Sequence, residues 1–122
     1  QVLNHLQDCA DDLRNLDRCY LPRPWLAQAG ASIDDLRGRH ASPGLRRVFN
    51  QLLDRVDELN RRASLLPGLI RDRRMRMEAA VIVGLSKRLA TRLRGEDPVA
   101  GRVKLSRGDV LAALAGAVRT LV

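Results

Sequence analysis

A cap residue followed by proline, Ser42-Pro43, opens a run in which Leu45, Val48, Leu52, Val56, Leu59 and Ala63 recur at steps of three and four, reinforced by Phe49 and Leu53. Proline suits the first helical position because its φ is already helical and its missing N–H would have had no partner there. Apolar residues at this period line one face of a helix, and a stripe this long makes a helical core the main expectation for the chain. Pro67-Gly68 reads as the end of that helix.

The rest of the chain follows the same period. Residues 1 to 14 read as a helix with two faces: Val2, Leu6, Cys9 and Leu13 form an apolar stripe, while Asn4, Asp8 and Asp12 lie four apart on another face with Gln1 and His5 beside them. This helix is expected to end near Asn15, and Cys19 to Pro24, with two prolines, reads as an extended connector. Short helices are expected around Trp25 to Ala29 and Asp34 to Arg37, the second capped by Ser32. A longer one spans about Ile70 to Arg94, and its centre, Ala79 to Val83, is apolar all round, the pattern of a helix buried on most sides. Gly95 and Pro98 stop it. Ser106 with Asp109 makes an approximate capping box for a last helix over about Arg107 to Leu121. No alternating strand pattern appears, so the expected class is all-α, with residues 1–122 in one helical domain. Gln1 stands in what reads as the middle of a helix, without a starting Met, as in a truncated or processed chain.

Composition narrows the function classes. The 22 basic residues against 14 acidic ones give a net charge of +8, which calls for an acidic partner such as nucleic acid, anionic lipid or a phosphorylated substrate. Trp25, Tyr20 and Phe49 are the whole aromatic content, too few for base-stacking platforms, and no zinc-finger spacing or glycine-rich RNA motif is present, so nucleic acid is not expected. Cys9 and Cys19 have no second pair or His cluster for a metal and read as buried, reduced thiols of a cytoplasmic protein. The longest apolar stretch, Val110 to Val118, is too short to span a bilayer, so the expectation is a soluble or membrane-peripheral chain.

Asp8 and Asp12 carry the chemistry. Two carboxylates four apart on a helix sit side by side and point the same way. Such a pair offers the hard oxygens that Mg²⁺ prefers, and Mg²⁺ in turn bridges to phosphate. Asn4, one turn earlier, adds a neutral oxygen, and repulsion among Asp8, Asp11 and Asp12 would be relieved by a cation. On its own, such a pair is more often a solvated helix face than a metal site.

The surrounding residues are more specific. Gln1-Val-Leu-Asn4-His-Leu-Gln-Asp8-Cys-Ala-Asp-Asp12, then five residues, then Arg18-Cys-Tyr20-Leu-Pro22, closely resembles the squalene/phytoene synthase signature. That signature has Gln, an Asn or Asp three residues on, an Asp-x-x-x-Asp/Glu pair and an Arg-x-aromatic-x-Pro exit. His5 and Gln7 depart from it, standing where most members have an apolar residue and many have Arg. The run Asn-His-Leu-Gln-Asp, and the segment Gly95 to Ser106, are most similar to the hopanoid-pathway hydroxysqualene synthase branch.

The resemblance implies the C-terminal portion of the isoprenoid synthase helical fold, in which two aspartate-rich helices face each other and bind diphosphate through Mg²⁺. It implies Asn4, Asp8 and Asp12 as metal ligands, Asp8 and Asp12 as catalytic, and Gln1 as their support or a substrate contact. It also implies Arg102 as a diphosphate contact and Arg18 as either that or a structural clamp. In the hydroxysqualene branch the substrate is presqualene diphosphate and water captures the rearranged cation. In the squalene and phytoene branches two prenyl diphosphates, such as farnesyl diphosphate, condense first. The family's first aspartate-rich motif is absent from this chain and would come from an upstream half. A reading from another class is a non-catalytic helical module that binds through its basic surface. For single residues, His5 reads as a hydrogen-bonded structural histidine or a proton acceptor, Trp25 as a packing anchor, and Met75 and Met77 as core filler. Arg71 to Arg76 read as a solvated face or as a contact with anionic membrane.

Overall fold

The computed structural model describes residues 1–121. It contains α1 (Val2–Leu16), α2 (Arg23–Gln28), a 3₁₀ turn (Ile33–Arg37), α3 (Pro43–Ala63), α4 (Leu66–Leu69), α5 (Arg73–Gly95), α6 (Arg107–Val118) and a closing 3₁₀ turn (Arg119–Leu121), with no strand among the described residues. The all-α expectation holds.

Local signals set most helix ends. The Ser42 hydroxyl accepts the Leu45 N–H at the start of α3, 3.1 Å. Ser106 and Asp109 form a reciprocal capping box at α6, and Ser32 and Asp35 form another at the first 3₁₀ turn. α1 closes where Asp17 takes a left-handed conformation, φ 53°, and the Arg18 N–H reaches back to the Asp12 carbonyl, 3.2 Å. Two boundaries differ from expectation because of proline. Pro24 lies in the first turn of α2 rather than in the connector, since that turn needs no N–H from it. Pro67-Gly68 lies inside the one-turn helix α4 and α3 has already ended at Ala63, because proline is tolerated in a first turn as readily as after a last one. α5 begins at Arg73, not Ile70, where the Asp72 carboxylate caps the Met75 N–H at 2.8 Å.

The core is aliphatic and centres on α3. Leu45, Val48, Phe49, Leu53 and Val56 pack against Leu6, Cys9 and Leu13 of α1, Leu89 and Leu93 of α5, and Val99 and Val103 of the strap that follows α5. Leu3 takes the core position expected for Val2, which is 41% exposed, and Leu59 is exposed whereas Asn60 is buried. The buried stripe of each helix is thus rotated slightly from the one the spacing favoured. Gly44 permits the approach of α3 to α2, since a Cβ there would lie 2.5 Å from the Ala29 carbonyl oxygen. Trp25 packs against this core as expected. Cys9 is fully buried, and burial pushes its thiol up to about 12, whereas Cys19 is only half-buried.

The expectation of a buried centre for α5 is overturned. Ile82 is 66% exposed and Ala79, Ala80, Val81 and Val83 are half-buried, while the fully buried residues of α5 are Leu89, Ala90 and Leu93 near its C-terminus. α5 packs most extensively against α6, and α3, α4, α1 and the final turn also meet it. Met75 is likewise exposed rather than core, and Met77 is half-buried. α6 lies along α5 with Ala113 against Gly84, where an added Cβ would sit 3.2 Å from that of Ala113. Among the described residues no helix is long and apolar enough to cross a membrane.

Asp109 ties α6 to α5 as well as capping it. Its carboxylate accepts the Ser106 N–H at 2.7 Å and meets Arg92 Nε at 2.5 Å. The Ser106 N–H, Arg92 and the Ser106 hydroxyl together hold its pKa at about 2, below the 3.8 of a free aspartate. A depressed folded-state pKa contributes stability above the unfolded value and loses it as pH falls through the folded one. The docking of α6 is therefore expected to weaken between about pH 4 and 2, and Asp109→Asn should remove that part of the acid transition. Thermal melts of both proteins across this range, followed by circular dichroism, measure it.

Candidate diphosphate-binding face

α1 presents Gln1, Asn4, Asp8 and Asp12 along one side at steps of three, four and four. Leu3, Leu6, Cys9, Ala10 and Leu13 anchor the other side in the core, so the helix cannot rotate this face away. Gln1 and Asn4 are exposed, and Asp8 and Asp12 are partly covered. Asp11 is exposed and is engaged by Arg14, 3.4 Å.

The strap between α5 and α6 brings Arg102 to this face. Arg102 Nε lies 2.7 Å from Asp8 Oδ1 and its terminal nitrogen donates to Oδ2 at 3.4 Å, a two-pronged contact between residues 94 apart in sequence. The strap is fixed on both sides of that contact. Gln7 Nε2 donates to the Val103 carbonyl at 2.5 Å, and the side chains of Val99 and Val103 are buried. Upstream, the Asp97 carboxylate accepts the Ala41 N–H at 2.8 Å and the Val99 N–H at 2.9 Å. Burial alone would raise the Asp97 pKa, but these N–H groups outweigh it and hold the carboxyl below its usual value. Arg46 donates to the Leu93 and Glu96 carbonyls, each at 2.9 Å, where α5 ends.

Of the residues singled out by sequence, Asp8, Asp12 and Arg102 gather here. Arg18 is exposed, and its side chain makes no ion pair with either aspartate. The His5 ring was read as hydrogen-bonded, but among the described residues it makes no such bond and instead stacks on Tyr20 with ring centroids 4.0 Å apart and planes 20° from parallel. That stack holds the Arg-x-aromatic-x-Pro exit back against α1. Gln7 and Asp97 were missed as contributors. Gln7 stood out only as a departure from the signature, and its partner lies 96 residues away, beyond any local pattern.

The donor set suits a hard divalent cation. Two carboxylates on successive turns, with an amide oxygen beside them, leave room for the waters and phosphate oxygens that Mg²⁺ retains. Asp8 already attracts a cationic group, the guanidinium of Arg102. Among the described residues no group of three or more His, Cys, Asp or Glu side chains is arranged to hold a metal.

The squalene/phytoene synthase family model matches residues 1–109, which takes in both the aspartate face and the strap that carries Arg102. The chain belongs to the squalene/phytoene synthase family. Within it, the chain is 37% identical over 118 residues to a hydroxysqualene synthase of Rhodopseudomonas palustris, covering 97% of this chain and 40% of that protein. It is 35% identical over 111 residues to one of Sinorhizobium fredii, covering 91% and 38%. A 15-cis-phytoene synthase of Paracoccus is 46% identical over 57 residues, 47% of this chain and 17% of that protein. The chain spans about two fifths of the length of its hydroxysqualene synthase relatives. No solved structure matches it significantly. The helical architecture is the one expected of the family's isoprenoid synthase fold.

Proposed function

We propose that this chain is the C-terminal portion of a Mg²⁺-dependent prenyl synthase that converts presqualene diphosphate and water to hydroxysqualene and diphosphate. The observation that supports this reading best is the Asp8–Asp12 face with Arg102 set over it, in a chain whose relatives over nearly its full length are named hydroxysqualene synthases. Asn4, Asp8 and Asp12 would hold the metal, and Mg²⁺ when bound supplies charge stabilisation for the departing diphosphate. Gln1 supports the ligands from the preceding turn. Arg102 supplies a donor pair of the shape that phosphate oxygens accept, and Arg18, on the exposed exit of α1, adds positive charge at that end of the helix. The upstream region of the longer protein supplies the facing aspartate-rich wall.

In the proposed reaction the carbon–oxygen bond to diphosphate breaks and leaves a carbocation. Water oxygen bonds to the rearranged cation and loses one proton, giving the alcohol. The protein's part is to orient the leaving group and to keep the hydrocarbon in an apolar wall, for which the aliphatic face of α5 around Ile82 is suited. Exposed Arg71, Arg73 and Arg74 offer a place for peripheral contact with an anionic membrane, where such a hydrocarbon product would partition.

Mass spectrometry of products from the full-length protein tests the reading, with presqualene diphosphate and farnesyl diphosphate offered separately. Hydroxysqualene from presqualene diphosphate, dependent on Mg²⁺, is the expected result. A condensation product from farnesyl diphosphate alone would replace it with the squalene or phytoene synthase reading, which the Paracoccus similarity favours over 57 residues. No turnover of either, with salt-dependent retention on heparin, would favour a basic binding module.

A further inference from the structure

The contact between Arg102 and Asp8 has two properties that bear on how a cation reaches this face. It engages both oxygens of the carboxylate, at 2.7 and 3.4 Å, and so sets a positive charge where a metal would approach them. It is also only partly shielded, with side-chain exposures of 50% for Arg102 and 29% for Asp8. The backbone that carries Arg102 is held independently of this contact by Val99, Val103, Gln7 and Asp97. The guanidinium can therefore leave Asp8 by side-chain rotation alone, with the strap in place. Asp12 has no comparable ion-pair partner among the described residues.

We propose that Arg102 is a built-in competitor for the aspartate face, so that its guanidinium and a divalent cation are alternative occupants of Asp8. Arrival of the cation turns Arg102 off the carboxylate and towards whatever anion accompanies the metal. The metal and a diphosphate then reinforce each other's binding, because the anion takes up the guanidinium that the metal displaces. Binding of metal alone is correspondingly weakened. This inference rests on the aspartate reading given above.

Mn²⁺ binding to the full-length protein, measured by electron paramagnetic resonance, tests it without recourse to turnover. A partly exposed ion pair contributes up to about 1 kcal/mol, so Arg102→Gln should tighten Mn²⁺ binding by up to about fivefold. Arg102→Lys, which keeps the charge but loses the two-pronged geometry, should fall between the two. Arg14→Gln removes one positive charge from the same helix without touching Asp8 and should leave the affinity unchanged. In an Asp8→Asn background the Arg102→Gln effect should vanish. Equal Mn²⁺ affinity in wild type and Arg102→Gln would overturn the competition and leave the aspartate face standing. An equal gain from Arg14→Gln would also overturn it, reducing the effect to net charge. Absence of Mn²⁺ binding in both wild type and Arg102→Gln, with circular dichroism showing folded protein, would overturn the aspartate reading itself and this inference with it.

Discussion

Replacing Asp8 and Asp12 together by Asn is expected to slow diphosphate release by the full-length protein at least about 10³-fold, while the helices stay folded. The magnitude follows from electrostatic stabilisation of a leaving group, where the loss of a single fixed partner already lowers rates by about 10² to 10³. The fold should survive because the α1 residues that hold it are Leu3, Leu6, Cys9 and Leu13 on the opposite side. Asp8 contributes a partly exposed pair with Arg102, worth no more than about 1 kcal/mol, and Asn can still accept a hydrogen bond from it. The measurement is diphosphate release against Mg²⁺ concentration, with a thermal melt of each variant. Retained turnover in the double variant would remove the metal assignment from this face. Loss of turnover accompanied by a collapsed melt would mean that the carboxylates hold the fold instead.

The second large effect is on stability. Phe49→Ala should destabilise the chain by about 3–5 kcal/mol, a large share of the roughly 5–15 kcal/mol typical of a folded domain. Phe49 is 1% exposed, and its ring is the largest fully buried side chain in an otherwise aliphatic core. It lies on α3 among residues that meet α1, α5 and the strap, so the cavity would open where four segments converge. The Arg46 guanidinium sits 5.7 Å from the ring centre and also donates to the carbonyls at the end of α5, so it would lose its packing surface as well. Denaturant melts should show a lower midpoint. Leu111→Ala, at a site 66% exposed on α6, should by comparison change stability by less than about 0.5 kcal/mol.

The two predictions differ in how far the sequence alone could have led to them. Asp8 and Asp12 are legible because the helix period puts them on one face, and because Gln1, Asn4, Arg18, Tyr20 and Pro22 stand in register with the family signature. Phe49 was visible as part of the α3 stripe, but its central place was not. Spacing identified the apolar side of each helix to within about one residue, which is why Val2 and Leu59 were expected inside while Leu3 and Asn60 are the buried ones. The side chains of neighbouring helices decide which edge of a stripe is covered, and periodicity carries no information about them. The same limit explains α5. Its all-apolar centre signalled a need for partners on several sides, and in the folded chain Ile82 at that centre stays 66% exposed.

Helix content, the caps at Ser42, Ser106 and Ser32, and the aspartate face were written in local sequence. Each depends on residues within one or two turns of one another, where backbone geometry leaves little choice. The meeting of Arg102 with Asp8, the hold of Gln7 and Asp97 on the strap, and the stacking of His5 on Tyr20 came only with the folded chain. The first two join residues more than fifty positions apart, and burial of Val99 and Val103 is what lays the strap against α1. Local chemistry placed the carboxylates; long-range packing chose the cation that faces them.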